Sequence, residues 1–155
     1  MNLRIVIPSI LLSSLLLVGI SSAYAETAAS TFEQSISDTL DLWREGRYEQ
    51  LYERLSHRGK TSMEQFVARM RDSTRRPACC WQKMENFRVL NEKRTEATVY
   101  VKIGLEGTPG PVESSTRDFK LSNESQIWKM QLNDIFDLAG ASGKKSKRGY
   151  HWKKY

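Results

Sequence analysis

Hydrophobic and polar positions between residues 32 and 70 repeat with the spacing of amphipathic helices. Three apolar stripes with steps of three and four residues predict three successive helices. The stripes comprise Phe32, Ile36, Leu40 and Trp43, then Tyr48, Leu51, Tyr52 and Leu55, then Met63, Phe66, Val67 and Met70. Gly46 is a suitable end for the first helix. A capping box at the start of the third helix pairs Thr61 with Glu64 or Ser62 with Gln65.

After residue 84 the hydrophobic period changes to two, which is the spacing of half-buried strands. Apolar and polar positions alternate most clearly over residues 98–105. We predict four strands, at 84–90, 98–105, 116–121 and 126–132, with the third at or near an edge of the sheet. Helices followed by strands favour an α+β fold with an antiparallel meander. The ordered body is expected to end near Leu138.

The first 25 residues have the three parts of a secretory signal. Arg4 gives a basic start, an apolar run covers 5–20, and Ala23-Tyr24-Ala25 fits a small-x-small cleavage pattern. The run is shorter than the roughly 20 residues that span a bilayer, although an uncleaved anchor is the alternative. We therefore expect an exported protein, periplasmic or secreted and soluble after cleavage. Its parts are a signal peptide at 1–25, a domain at 26–138 and a tail at 139–155.

Composition narrows the class of protein without naming an activity. The chain has 155 residues, of which 39% are hydrophobic and 27% charged, which is typical of one ordered globular domain. Collagen and multi-span membrane proteins are excluded. The sequence holds no Gly-rich phosphate loop and no Gly-x-Ser-x-Gly elbow. The sequence therefore lacks the motifs by which most nucleotide-binding enzymes and serine hydrolases are recognised.

The basic character of the chain belongs to its tail, which we predict to be flexible. The formal net charge is +6, and the tail alone carries six positive charges, so the body is nearly neutral. The candidate anion-binding residues are Lys144, Lys145, Lys147, Arg148, Trp152, Lys153 and Lys154. Each Lys or Arg near an anionic membrane contributes about 1 kcal/mol, so anionic lipid or an acidic polymer is a candidate partner. A disordered tail that only keeps the protein in solution is the alternative. Nucleic acid is not expected as a partner, because an exported protein is separated from it by the membrane.

The helical segment carries a pattern that resembles a known superfamily. A first helix ends in Trp43-Arg44-Glu45-Gly46, the next segment reads Arg47-Tyr48-Glu49-Gln50-Leu51-Tyr52, and Leu55-Ser56 follows before the long meander. This order resembles the nuclear transport factor 2-like superfamily, whose members are cystatin-like α+β cones. The resemblance spans about Phe32 to Leu138. It implies helices packed on the concave face of a curved antiparallel sheet.

The resemblance implies a cone that is a ligand pocket, an active site or a packed core. Candidate pocket residues are Trp43, Tyr48, Tyr52 and Trp128, although Trp43 and Trp128 are alternatively ordinary core residues. Enzymes of this superfamily place carboxylates, tyrosines or histidines in the cone, but no motif here assigns a catalytic residue. Four aspartates, Asp38, Asp41, Asp134 and Asp137, are expected to be solvated or to cap helices. Family members often pair through the exposed sheet face, so Thr98, Tyr100 and Lys102 are candidates for a homodimer contact.

Cys79 and Cys80 are the two cysteines of the chain, and they are adjacent. In an oxidising compartment thiols tend to pair, so the choices are a vicinal disulfide, an intermolecular bridge or free thiols. A vicinal bond acts as a rigid loop element or as a redox-sensitive switch. The Cys-x-x-Cys spacing of thiol oxidoreductases is absent. With only His57 and His151 as histidines, we expect no metal and no cofactor.

Taken together, these patterns predict an exported, non-enzymatic cone-fold module. It would bind a small amphipathic molecule or a partner protein at the cell envelope. Whether it is an enzyme stays open, and one alternative is an enzyme like the ketosteroid isomerases and polyketide cyclases. That alternative requires a carboxylate buried inside the cone, with a raised pKa. A further alternative is an envelope tether that binds anionic surfaces through the basic aromatic tail.

Overall fold

Helices followed by a strongly curled antiparallel sheet make up the chain in the computed structural model. It describes residues 21–107 and 113–141, with side chains from residue 31 onward. The elements are α1 (Ser21–Arg44), α2 (Tyr48–Glu53), α3 (Met63–Arg71), β1 (Arg75–Pro77), a 3-10 helix (Cys80–Lys83), β2 (Met84–Glu92), β3 (Glu96–Gly107), β4 (Glu113–Glu124), β5 (Ile127–Met130) and α4 (Leu132–Ala139). The predicted α+β class is confirmed. Most of the predicted signal and the basic tail from residue 144 lie outside the described residues.

The three predicted helical stripes all face the core. Phe32, Ile36 and Leu40 of α1 are fully buried, as are Leu51 of α2 and Phe66 of α3. These helices form because apolar side chains three and four residues apart can then share one buried face. No helix among those described is long and apolar enough to cross a membrane.

The helix ends follow the predicted capping chemistry. Gly46 has a φ of +73°, the left-handed conformation that follows the end of α1 at Arg44. At α3, the capping box pairs Ser62 with Gln65, and both of its hydrogen bonds are present. Of the two predicted capping boxes, the structure therefore selects the second.

The sheet is built around β3, its most buried strand. Its order is β1-β3-β4-β5, and β2 also pairs with β3, on the same edge as β1. Val99, Val101 and Ile103 point into the core from β3, as their alternation predicts. The predicted third strand corresponds to β4, which lies next to the terminal strand β5 and is longer than expected. In the described residues the sheet has five strands, whereas four were predicted. The additional strand is the short β1.

The C-terminal part of the body differs from its prediction. The fourth predicted strand, 126–132, is shorter than expected, and Leu132 instead begins helix α4. The Leu132 N–H donates a hydrogen bond to the Ser56 carbonyl oxygen at 3.0 Å. This contact turns the chain out of the strand. Helix α4 buries a stripe with helical spacing. That stripe is Leu132, Ile135, Phe136 and Ala139.

The turn before β5 is also displaced from its expected place. Ser125 and Gln126 both have positive φ values, of 54° and 66°, and they form the two-residue connection between β4 and β5. Two successive residues with positive φ match a turn whose twist suits antiparallel strands. The gap of residues 122–125 between the third and fourth predicted strands is therefore replaced by a connection at 125–126, since β4 runs to Glu124 and β5 begins at Ile127.

The interior between the helices and the sheet is filled with large side chains. Trp43, Phe32, Phe66 and Phe119 are among the largest fully buried residues, and Met130 packs in the same cluster. Phe66 lies 5.4 Å from Phe136 between ring centroids, so α3 and α4 meet through aromatic contact. The two described clefts therefore lie at the surface, outside this core.

Candidate functional site

The four aromatic residues proposed for a pocket lie in different environments. Trp43 is only 1% exposed and belongs to the core. Tyr48 and Tyr52 are half-buried, and the Tyr52 hydroxyl donates to the Thr61 carbonyl oxygen at 2.8 Å. Trp128 is half-buried, with its ring edge-to-face against Phe32 at 4.7 Å. Of the four, Trp128 lines a surface cleft.

That cleft, which we call the Trp128 groove, lies between α1 and the start of β5. It has a volume of about 490 Å³ and is open to solvent. Its lining residues are Thr31, Gln34, Ser35, Asp38, Arg54, Gln126, Ile127 and Trp128. Small-molecule sites usually have volumes of roughly 300–1,000 Å³, so the groove is large enough for such a ligand.

The groove combines an apolar wall with a charged one. Ile127 is 45% exposed and Trp128 is half-buried, and both residues line the groove. On the opposite wall, Arg54 Nη2 contacts Asp38 Oδ2 at 2.8 Å. The Nε atom of Arg54 is buried without a hydrogen-bond partner in the described part of the chain. An amphipathic molecule matches this division, with its apolar body on one wall and its polar group on the other.

The backbone edge of β5 is already occupied at the groove. The Ser35 hydroxyl donates to the carbonyl oxygen of Trp128, and the Ser56 N–H donates to that of Met130 at 2.9 Å. An added β-strand would need free backbone groups along this edge. Recognition here would therefore work through side chains rather than by extension of the sheet.

A second cleft lies near the β2–β3 turn and is smaller and more polar. Its volume is about 170 Å³, below the usual range for small-molecule sites. Lys93, Glu96, Lys120 and Ser122 are among its lining residues. The ring Nε2 of His57 lies 3.1 Å from the Ser122 hydroxyl, which accounts for the placement of this histidine. Its size and mixed charge make this cleft the weaker candidate.

The adjacent cysteines lie in a loop that interrupts one edge of the sheet. Pro77 pairs with Leu105 and Met84 pairs with Ile103, so residues 78–83 all lie opposite Gly104. We call these six residues the disulfide loop, because the two sulfurs, of Cys79 and Cys80, are bonded. The Ala78 N–H donates to the Gly104 carbonyl oxygen at 2.9 Å.

The disulfide loop is attached to α1 at both ends. Arg44 Nη1 donates to the Pro77 carbonyl oxygen at 2.6 Å and to Glu106 Oε2 at 3.1 Å. The other carboxylate oxygen of Glu106 accepts from the Cys79 N–H at 3.2 Å. At the far end, Lys83 Nζ lies 2.7 Å from both carboxylate oxygens of Asp41. The loop backbone is therefore fixed by polar contacts that do not involve the sulfurs.

Glu106 is the electrostatic centre of the first attachment. Desolvation alone would raise its pKa, but hydrogen bonds from Arg44 and the Cys79 N–H lower it. The charges of Arg44 and Arg76 act in the same direction, and the net pKa lies below the ordinary 4.5. The carboxylate therefore stays ionised at neutral pH and keeps both contacts.

The aspartates considered at the sequence level lie at the surface or in ion pairs. Asp38 contacts Arg54, and Asp41 contacts Lys83. Asp134 and Asp137 belong to α4, just beyond the last strand, and both lie near Arg117, at 3.5 and 3.7 Å. Within the described residues, no Asp or Glu is buried in the core, and no group of potential metal ligands is found.

The pKa of Asp134 is shifted upward from its ordinary value of 3.8. Partial burial raises it, the Arg117 guanidinium opposes that rise, and the charge of Asp137 adds to it. The side chain remains 20% exposed and faces Arg117 rather than the interior of the cone. This shift therefore reflects the first turn of α4 and does not mark an enclosed acid.

The outer face of β3 is covered in part by side chains from β2. The guanidinium of Arg88 lies 4.7 Å from the ring centroid of Tyr100, and Lys102 Nζ lies 3.0 Å from Glu85 Oε2. Thr98 and these two β3 residues are half-buried. A homodimer through this face stays a prediction.

Comparison with known proteins adds no family assignment, because no family model and no curated protein matches the chain. Several residues important to the geometry described above, notably Glu106, Lys83 and Arg54, were not singled out by the sequence. Arg54 is 16 residues from its partner Asp38, and Lys83 is 42 residues from Asp41. Glu106 is 62 residues from Arg44, so no local sequence pattern reveals any of these contacts.

Proposed function

We propose that this protein is a non-enzymatic binding module that holds a small amphipathic molecule in the Trp128 groove. The observation that carries the proposal is the pairing of an exposed apolar wall with the Asp38–Arg54 ion pair in one open cleft. Such a division suits a ligand with an apolar body and a polar or anionic end. Binding of a partner protein's apolar side chain is the related possibility for the same groove.

We further propose that the module belongs to the nuclear transport factor 2-like cones and acts at the cell envelope. The curled antiparallel sheet and the helices packed against it are compatible with such a cone. The N-terminal signal pattern supports export. In this proposal the cone interior is a packed core, and the ligand binds on its outside, beside α1.

The isomerase-type alternative has less support than the binding module. It needs a carboxylate inside the cone, and the buried polar residues of the described chain are instead Ser35, Thr39, Ser56 and Ser122. The envelope-tether alternative depends on the basic tail and stays a prediction.

The groove can be tested with 1-anilinonaphthalene-8-sulfonate, an amphipathic anion whose fluorescence rises in apolar surroundings. We expect Ile127→Gln to weaken its binding about fivefold, which corresponds to about 1 kcal/mol of lost apolar contact. The side chain is 45% exposed, so the variant should fold normally. Fluorescence titration measures the effect.

Leu90→Gln is the matched control, because Leu90 is 53% exposed on β2 and does not line the groove. It should leave the affinity for the dye unchanged. Equal weakening by both variants, or no weakening by Ile127→Gln, would contradict the groove as the binding site.

A further inference from the structure

The disulfide loop presents its sulfur-bearing residues to solvent on a fixed support. Cys79 and Cys80 are both exposed, and Trp81 beside them is 73% exposed. Attack on a disulfide requires that a thiolate reach one of the sulfurs. The exposure of both residues meets this requirement in the folded protein.

Opening the disulfide would leave the attachments of the loop intact. The contacts of Glu106 with the Cys79 N–H and of Lys83 with Asp41 involve no sulfur atom. Cys80 has a backbone φ of +59°, a left-handed conformation that residues other than glycine rarely adopt. Reduction would allow this one residue to relax locally, without unfolding of the sheet.

From these features we propose that the Cys79–Cys80 pair is a thiol–disulfide exchange site for low-molecular-weight thiols. A thiolate attacks one sulfur and forms a mixed disulfide as the Cys79–Cys80 bond breaks. The other cysteine leaves as a thiolate and takes a proton from water. A second thiolate then attacks the mixed disulfide, which releases a small-molecule disulfide and the second cysteine. Two thiols are oxidised, and the pair gains two electrons and two protons.

This exchange site is separate from the proposed ligand groove. The disulfide loop contacts α1 through Ser37 and Asp41, and Arg44 of α1 contacts the adjoining Pro77. The groove uses a different flank of the same helix, which includes Gln34, Ser35 and Asp38. The inference therefore goes beyond the proposed binding function, and either can fail without the other.

The first test compares the reduction of the native protein by glutathione with its reduction in denaturant. Oxidised full-length protein is incubated with reduced glutathione, and new thiols are alkylated and counted by mass spectrometry. We expect native and denatured rates within about tenfold of each other, because the disulfide is exposed. A disulfide that reacts only in unfolded molecules would react slower in the native state by roughly a thousandfold or more. That result would overturn the proposal.

The second test uses Cys79→Ser and Cys80→Ser, each of which leaves one thiol. Under native conditions, we expect at least one variant to take up one glutathione from oxidised glutathione, detected as an intact-mass adduct. Adducts that form only after unfolding, in both variants, would contradict an accessible exchange site. Unchanged circular dichroism melts would show that the folds are comparable. Dye binding in the groove is expected to be the same before and after reduction.

Discussion

At the residue scale, the position of the disulfide loop depends on the missing side chain of Gly104. A Cβ atom placed there would lie 2.2 Å from the backbone carbonyl oxygen of Gln82, closer than real Cβ contacts allow. Because the obstructing atom belongs to the backbone, it cannot move aside as a flexible side chain would. The close approach of residues 78–83 to β3 therefore requires glycine at this position.

Gly104→Ala should destabilise the protein by about 1–3 kcal/mol, since the new methyl group must displace the loop or the strand. Urea denaturation monitored by circular dichroism measures this change in the free energy of unfolding. Gly107→Ala in the same strand is the control, because its nearest neighbour would lie 3.8 Å from the new Cβ. Equal costs for the two variants would show that the contact with Gln82 is not the cause.

At the scale of single elements, α4 shows where the sequence pattern is ambiguous. Trp128, Met130 and Leu132 have the period of a strand, whereas Leu132, Ile135, Phe136 and Ala139 have that of a helix. Leu132 belongs to both patterns, so the boundary between β5 and α4 cannot be read from periodicity alone. The hydrogen bond to Ser56, a contact distant in sequence, fixes it.

Asp134 in the first turn of α4 predicts a pH-dependent effect on stability. Its folded pKa is raised above the ordinary 3.8, so ionisation costs the folded state more than the unfolded state. Asp134→Asn should therefore gain stability relative to the wild type as the pH rises from below 3.8 towards neutrality. Urea denaturation at a series of pH values measures it. A difference that is constant with pH, or that falls as the pH rises, would contradict this assignment.

Other elements were predictable to the extent that they carry a hydrophobic period. The three helical stripes and the alternation of β3 are long and regular, and the structure confirms them. Strand β1 is only Arg75–Pro77 and has no alternation to detect. The cysteine pair was visible in the sequence, but its attachments through Glu106 and Lys83 were not, because they join residues far apart in the chain.

At the scale of the whole molecule, α1 connects the two surface features. Its apolar stripe packs on the core, one flank holds the disulfide loop, and another flank forms a wall of the Trp128 groove. One helix therefore supports both proposed sites, while the space between the helices and the curled sheet is filled by the packed core. This arrangement explains why the proposed ligand site lies outside the core.

The central claim is that the Trp128 groove holds a small amphipathic molecule. Native mass spectrometry of the protein purified from an exporting host tests it most directly. We expect the wild-type protein to retain a small mass that is lost on denaturation, and Ile127→Gln to retain less of it. The Leu90→Gln variant should retain it. Equal retention by Ile127→Gln and the wild type, or a wild-type protein that carries no bound mass, would contradict the account.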